Sequence, residues 1–164
     1  MKMTQKFASI MLPLGILMAA PQYAGAQTAP AEIIKVAEHK YEEGVVAPRW
    51  RDKEVALSGR DVVSYSQDSG PVEGKKEYAA EFDDTKWYFK TKENRDAFKA
   101  NPNKYVPEFG GYCPVALSRG IIKVGQTNQF TSHEGKLYMN YNEKNRDTFA
   151  VDPKSYILKA RTTW

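Results

Sequence analysis

The sequence predicts an α+β domain in which a small antiparallel sheet is built from two hairpin-plus-helix units, with an N-terminal helix beside it. A similar pattern occurs twice, over residues 86–106 and 136–157, and each copy passes from an aromatic strand into a capped helix. The chain also contains ten Tyr, seven Phe and three Trp, enough aromatic surface for a packed core. With one cysteine, no disulfide can hold the monomer, so packing must.

The first 26 residues have the pattern of a cleavable secretory signal. Lys2 and Lys6 precede an apolar run, and Ala24-Gly25-Ala26 offers the small residues that a signal peptidase accepts. The run contains Pro13 and is shorter than the roughly 20 residues of a membrane-spanning helix. We therefore expect a periplasmic or secreted protein without a stable membrane anchor.

An extension over residues 27–53 follows, and a single domain over residues 54–164 completes the chain. Ile33, Ile34, Ala37 and Tyr41 recur at near-helical spacing, which predicts one short amphipathic helix.

At the start of the domain, Val55-Ala56-Leu57 predicts a short strand. Val62, Val63 and Tyr65 predict a continuation of the core edge beyond a turn at Gly59. This stretch is expected to lead into the first of the two repeated copies.

Each repeated copy predicts a hairpin and then a helix. Turns at Asp83-Asp84 and at residues 133–135 fold each aromatic strand back on an earlier strand. Thr91 and Asn142 are suitable N-cap residues for the helices that follow.

Phe98 and Phe149 match between the two copies and are predicted to face the sheet. Asn101-Pro102 and Asp152-Pro153 then place a capping side chain before a proline, which predicts a second helical segment in each copy.

Charge and motif content argue against several function classes. The formal net charge is +4 with both signs interspersed, and no basic stripe indicates a nucleic-acid partner. No Gly-x-Ser-x-Gly, His-Glu-x-x-His or phosphate-binding loop pattern is present, and two histidines offer few general bases. We therefore predict that the protein is not an enzyme.

The most distinctive local feature is the sequence Phe109-Gly110-Gly111-Tyr112-Cys113-Pro114. Adjacent glycines permit unusual backbone angles, and here they position the only thiol of the chain. Four interpretations stay open for Cys113: a small buried core residue, a disulfide between two chains, a soft metal ligand, or a reactive thiol.

The segments SGRDVVSY, WYFKTKENRDAFKANPNKY and FGGYCPVALSRG resemble the YHS domain family, and in particular its branch of small exported proteins. The resemblance covers roughly residues 54 to 161. It implies transition-metal handling, with a metal ion or a metal-handling protein as the partner. Cys113 matches the cysteine of the exported branch, whereas the thiols of the metal-linked members are replaced here, for example by Ser64.

If the protein binds a metal, Cys113 is the soft ligand, and a thiolate helped by imidazole or thioether favours Cu(I). His133 and Met139 are the candidate helpers, with Met139 standing where the first copy has Phe89. On the strength of the family resemblance, we therefore expect a copper site formed by Cys113, His133 and Met139.

Two alternatives stay open beside copper. Cys113 could serve in thiol redox chemistry, which would need an external thiol because the chain has no second cysteine. The domain could instead be a noncatalytic interaction or small-ligand-binding module in which tyrosines such as Tyr88 and Tyr112 line a groove.

Overall fold

A computed structural model of the protein describes residues 34–35, 54–67 and 70–164. The predicted signal segment and most of the predicted N-terminal helix lie outside these residues. The described part of that helix prediction, Ile34–Lys35, is a short strand, β1, which pairs in parallel with Ala80 and Glu81. The fold class is confirmed: helices are combined with small sheets formed by two antiparallel hairpins.

The first unit contains one hairpin followed by two helices. Two 3₁₀ segments precede the hairpin, which has β2 in the middle of a three-stranded sheet of order β1-β2-β3. The elements are the 3₁₀ segments Ala56–Gly59 and Val62–Ser66, strands β2 (Lys75–Phe82) and β3 (Thr85–Phe89), and helices α1 (Lys92–Ala100) and α2 (Pro102–Tyr105).

The second unit has the same order of elements. A 3₁₀ segment and a short helix precede a two-stranded antiparallel sheet, and two helices follow it. The elements are the 3₁₀ segment Glu108–Gly111, helix α3 (Pro114–Leu117), strands β4 (Gln126–His133) and β5 (Lys136–Asn140), and helices α4 (Glu143–Val151) and α5 (Pro153–Ala160).

The longer helices begin where the sequence predicts. The Thr91 hydroxyl accepts a hydrogen bond from the Asn94 N–H at 3.2 Å, and the Asn142 side chain accepts one from the Asn145 N–H at 2.9 Å. Each bond satisfies a backbone donor of the first helical turn. Asp152 caps α5 in the same way through the Ser155 N–H.

The strand register corrects the predicted match between Met139 and Phe89. Met139 lies opposite Phe130 on β4, just as Tyr88 lies opposite Ala79 on β2. Asn140 lies opposite Gln126 at the strand end, as Phe89 lies opposite Lys75. The structural counterpart of Met139 is therefore Tyr88, and Asn140 takes the position of Phe89.

The core consists of two buried clusters. The first cluster centres on Phe98, which packs against Phe82, Trp87 and Phe89 with ring centroids 5.0–5.8 Å apart. It also takes in Leu137 and Met139 from β5. The second cluster contains Phe109, Cys113, Val115, Ala116, Leu117, Tyr138, Phe149 and Ala160. Phe98 and Phe149 are fully buried, which confirms their predicted orientation.

The predicted strand at Val55-Ala56-Leu57 is wrong. Only Val55 makes a β-bridge, with Lys86, and Ala56 begins a 3₁₀ segment. The chain cannot continue as a strand because Leu57 has a positive φ of 50°.

Within the part of the chain that the structure describes, no helix has the length and apolarity needed to cross a membrane.

Candidate functional site

Two left-handed turns lie at equivalent places in the two units. Each consists of three consecutive residues with φ between 50° and 83°. Three of these six turn residues are not glycine, although a left-handed backbone conformation costs a non-glycine residue about 1–2 kcal/mol. The turns are Leu57-Ser58-Gly59 and Phe109-Gly110-Gly111.

These turns contribute to one open cleft of about 410 Å³, which we call the seam cleft because both units line it. The first unit supplies its 3₁₀ turn and the residues before it, and the second unit supplies its glycine turn and the start of its sheet. The lining residues are Glu54, Val55, Leu57, Ser58, Gly110, Gly111, Val124, Gly125, Thr127 and Met139.

The wall of the seam cleft in the second unit depends on a close backbone approach at Gly125. Its N–H donates to the Gly111 carbonyl oxygen at 2.9 Å. A Cβ at Gly125 would overlap both Met139 and that carbonyl oxygen, so the approach requires glycine. Gly74 makes the same bond with Gly59 in the first unit, against Tyr88.

Cys113 lies two residues beyond the glycine turn, immediately before α3. Its side chain is fully buried in the second cluster, and its Sγ accepts a hydrogen bond from the Asn145 amide at 3.3 Å. Its N–H donates to the Lys123 carbonyl at 2.9 Å. Burial of this kind suits a packed, inert thiol more than an exposed nucleophile.

Asp61 takes the place of Cys113 in the first unit. It follows Gly59 as Cys113 follows Gly111, and its N–H donates to the Val72 carbonyl at 2.9 Å. Asn94 donates to Asp61 Oδ2 at 2.6 Å, just as Asn145 donates to the sulfur of Cys113.

The Asp61 carboxylate is a more fully bonded acceptor than the Cys113 sulfur. Besides Asn94, it accepts the Val63 N–H at 2.9 Å and the Lys90 N–H at 2.8 Å. Sequence reasoning missed this equivalence. The spacing Gly59-x-Asp61 against Gly111-x-Cys113 was the signal that could have revealed it.

The structure does not bring Cys113, His133 and Met139 together. Met139 is packed in the first core cluster and Cys113 in the second. Side chains alternate along β5, so Met139 and its neighbour Tyr138, which contacts the second cluster, point to opposite faces.

His133 lies at the hairpin end of β4, opposite Lys136. Its Nε2 atom is 3.7 Å from a carboxylate oxygen of Glu134 and has no hydrogen-bond partner among the described residues. Among those residues, no group of three or more His, Cys, Asp or Glu side chains could hold a metal ion.

Two buried tyrosines have perturbed acidity. Burial raises the pKa of Tyr65 to about 12, partly offset by the positive charge of Arg60. The Tyr65 hydroxyl donates to the Thr127 carbonyl oxygen at 2.8 Å. Burial also raises the pKa of Tyr138 to about 12, and the negative charge of Glu108 adds to the shift. Both hydroxyls therefore stay protonated at neutral pH and offer hydrogen-bond donors, not anions.

No protein-family model matches the chain, and neither a curated protein nor a solved structure matches it. The likeness to YHS domains therefore stays a prediction from sequence motifs.

Proposed function

We propose that this protein is an exported, noncatalytic binding module that takes a small apolar ligand into the seam cleft. The observation that carries the proposal is the placement of strained backbone around a cavity. Leu57 and Ser58 hold left-handed conformations and line the cleft, and Phe109 holds a third directly before the lining glycines. Such strain persists only where the surroundings enforce it, and it clusters at ligand-binding sites.

The chemistry of the lining supports an apolar ligand. Val55, Leu57, Val124 and Met139 offer aliphatic and thioether surface, and the glycines let a ligand approach the backbone closely. The cleft volume falls in the range of ordinary small-molecule sites, about 300–1,000 Å³.

Polar groups are few in the seam cleft. Ser58 and Thr127 supply hydroxyls, and the one ionisable lining side chain among the described residues is Glu54, at 3.8 Å from Lys86. A few polar groups on an apolar lining are typical of sites that fix the orientation of a small ligand.

Filling the cleft tests the proposal. N-phenyl-1-naphthylamine, an uncharged fluorescent apolar probe, is titrated into the wild-type protein, Val124→Trp and Ile122→Trp. Val124 lines the cleft, whereas Ile122, two residues away and comparably exposed, does not. We expect saturable binding to the wild type and to Ile122→Trp, and a loss of at least about tenfold in Val124→Trp, equivalent to about 1.4 kcal/mol.

Equal binding by the two tryptophan variants would place the probe elsewhere and overturn the proposal. Absence of saturable binding to the wild type would also overturn it. Circular dichroism of both variants checks that the fold is retained.

Copper handling through Cys113 stays a prediction of the family resemblance, and it has its own test. Cu(I) is titrated against a competing chelator under anaerobic conditions, with the wild type and Cys113→Ser. Because Cys113 is fully buried and lies apart from Met139, we expect equal and weak binding by both proteins. A stoichiometric site lost in Cys113→Ser would instead establish metal binding at this residue.

A further inference from the structure

We propose that a second cavity, near the hairpin end of β4 and β5, binds a small anion that carries an apolar or aromatic body. The cavity has a volume of about 340 Å³, and we call it the lysine cavity. Both units line it, with Val62, Tyr65, Ser66, Gln67, Lys104, Tyr105, Ser132, Gly135, Lys136 and Leu137.

The described lining of the lysine cavity carries positive charge without a carboxylate. Lys104 comes from α2 and Lys136 from β5, so the fold brings together cations that are distant in sequence. The Lys104 ammonium has no carboxylate partner among the described residues, so it attracts an anion, and low-dielectric walls strengthen that attraction.

The two lysines retain hydrogen-bonding capacity for a ligand. The Lys104 ammonium lies 5.2 Å from the centre of the Tyr105 ring and has no carboxylate within ion-pair distance among the described residues. The Lys136 ammonium donates to the Asn103 carbonyl at 3.1 Å and pairs with Glu108 at 3.1 Å. An ammonium has three donors, so one donor of Lys136 remains for an incoming anion.

The remainder of the lining suits an apolar body. Val62 and Leu137 are buried core side chains that form apolar surface, and Tyr65 and Tyr105 present aromatic rings. Ser132, which lies opposite Leu137 in the hairpin, adds a hydroxyl. A ligand such as an aromatic carboxylate would satisfy both the cations and the apolar surface.

The lysine cavity is separate from the seam cleft. Tyr65 lines the lysine cavity but not the seam cleft, and its hydroxyl donates to the carbonyl of Thr127, a seam-cleft residue, at 2.8 Å. Phe130 packs edge-on against the Tyr65 ring with centroids 5.0 Å apart. The two cavities share no lining residue, so anion binding in the lysine cavity does not require a ligand in the seam cleft.

Benzoate and its uncharged analogue benzamide test the proposal by ¹H–¹⁵N correlation spectroscopy of the purified protein. We expect benzoate to give saturable shifts of the amides of Ser66, Lys104 and Ser132, with benzamide at least about fivefold weaker. Lys104→Gln and Lys136→Gln should each weaken benzoate by about three- to tenfold.

Lys144→Gln is the matched control, because Lys144 is an exposed lysine of α4 that does not line the cavity. It should leave benzoate affinity unchanged. Equal binding of benzoate and benzamide, shifts located elsewhere, or wild-type affinity in both cavity-lysine variants would each overturn the proposal. Unperturbed amide spectra of the free variants establish that each protein is folded, and Lys104→Gln leaves the Lys136–Glu108 pair intact.

Discussion

The two units present the same backbone turn but place different acceptors behind it. In the first unit, the buried carboxylate of Asp61 accepts three hydrogen bonds. In the second unit, the Cys113 sulfur accepts from Asn145 alone among the bonds seen at this side chain. A charged acceptor fixes its neighbours more strongly than a sulfur does, so the first unit is the more tightly specified half of the fold.

The buried interiors of the two units also differ, and again the second unit has the less fully satisfied side chain. Phe89 and Asn140 take equivalent strand positions, and both are fully buried. Phe89 packs on Phe98, whereas Asn140 donates to Thr131 and leaves its Oδ1 without a partner among the described residues. A buried acceptor without a partner costs free energy, so at this strand position we expect the first unit to be the more stable of the two.

The largest expected effect comes from removing the two acceptors. Asp61→Ala leaves the Val63 and Lys90 N–H groups and the Asn94 amide without their partner, and we expect a loss of about 3–5 kcal/mol in the free energy of unfolding. Cys113→Ala removes one weak bond and a small volume, for which about 1–2 kcal/mol is expected. Chemical denaturation of both variants measures the difference.

Asp61→Asn sharpens this test, because it keeps the size of the side chain and removes its charge. Its cost should fall between those of the two alanine variants. If Cys113→Ala proves as costly as Asp61→Ala, the two units are equally dependent on their acceptors and the comparison fails.

A smaller effect on the free energy of unfolding is expected at alkaline pH, where one buried tyrosine in each unit loses its proton. Tyr65 and Tyr138 have a pKa of about 12 in the folded protein, against about 10 for an exposed tyrosine. The unfolded chain therefore loses these protons first, and the stabilisation present below pH 10 disappears as the pH rises from about 10 to about 12.

Each tyrosine accounts for at most about 2 kcal/mol of this loss once solvent screening is allowed for. Tyr65→Phe and Tyr138→Phe should each reduce the slope of unfolding free energy against pH in this window, which denaturation at several pH values measures. The absorbance of tyrosinate gives an independent titration. A slope unchanged in both variants would contradict the assignment.

The smallest expected effect concerns the helix caps, where the units are most alike. Thr91→Ala and Asn142→Ala each remove one capping bond to a backbone N–H, and each should cost about 1 kcal/mol. Nearly equal losses of stability, measured by thermal unfolding, would show that the units differ in their interiors and not at their helix starts. A difference of several kcal/mol between the caps would locate the asymmetry at the helix starts instead.

The sequence predicted those features that depend on local chemistry. Capping residues, the turns at Asp83-Asp84 and Glu134-Gly135, and the burial of Phe98 and Phe149 were all found where the pattern placed them. Each follows from a side chain acting on backbone or packing within a few residues of itself. Such signals are readable without knowledge of the tertiary structure.

The candidate site could not be predicted in the same way, because it depends on contacts between distant segments. The left-handed turn at Leu57-Ser58 contains no residue before Gly59 that favours positive φ, so the sequence suggested a strand there. Met139 aligns with Phe89 when the two copies are compared as sequences. The strand register, in which Met139 lies opposite Phe130, shows that Met139 is not the structural counterpart of Phe89. The two cavities exist only because the second hairpin lies against the first unit.

The bond from Tyr65 to the Thr127 carbonyl has a consequence for how the molecule opens. It joins the first unit to the second residue of strand β4, so neither hairpin can detach without exposing the buried Tyr65 ring and breaking that bond. Loss of one half thus weakens the other, and the described domain should unfold in one cooperative transition. In native-state hydrogen exchange, the core amides of β3 and β5 should accordingly share one opening free energy.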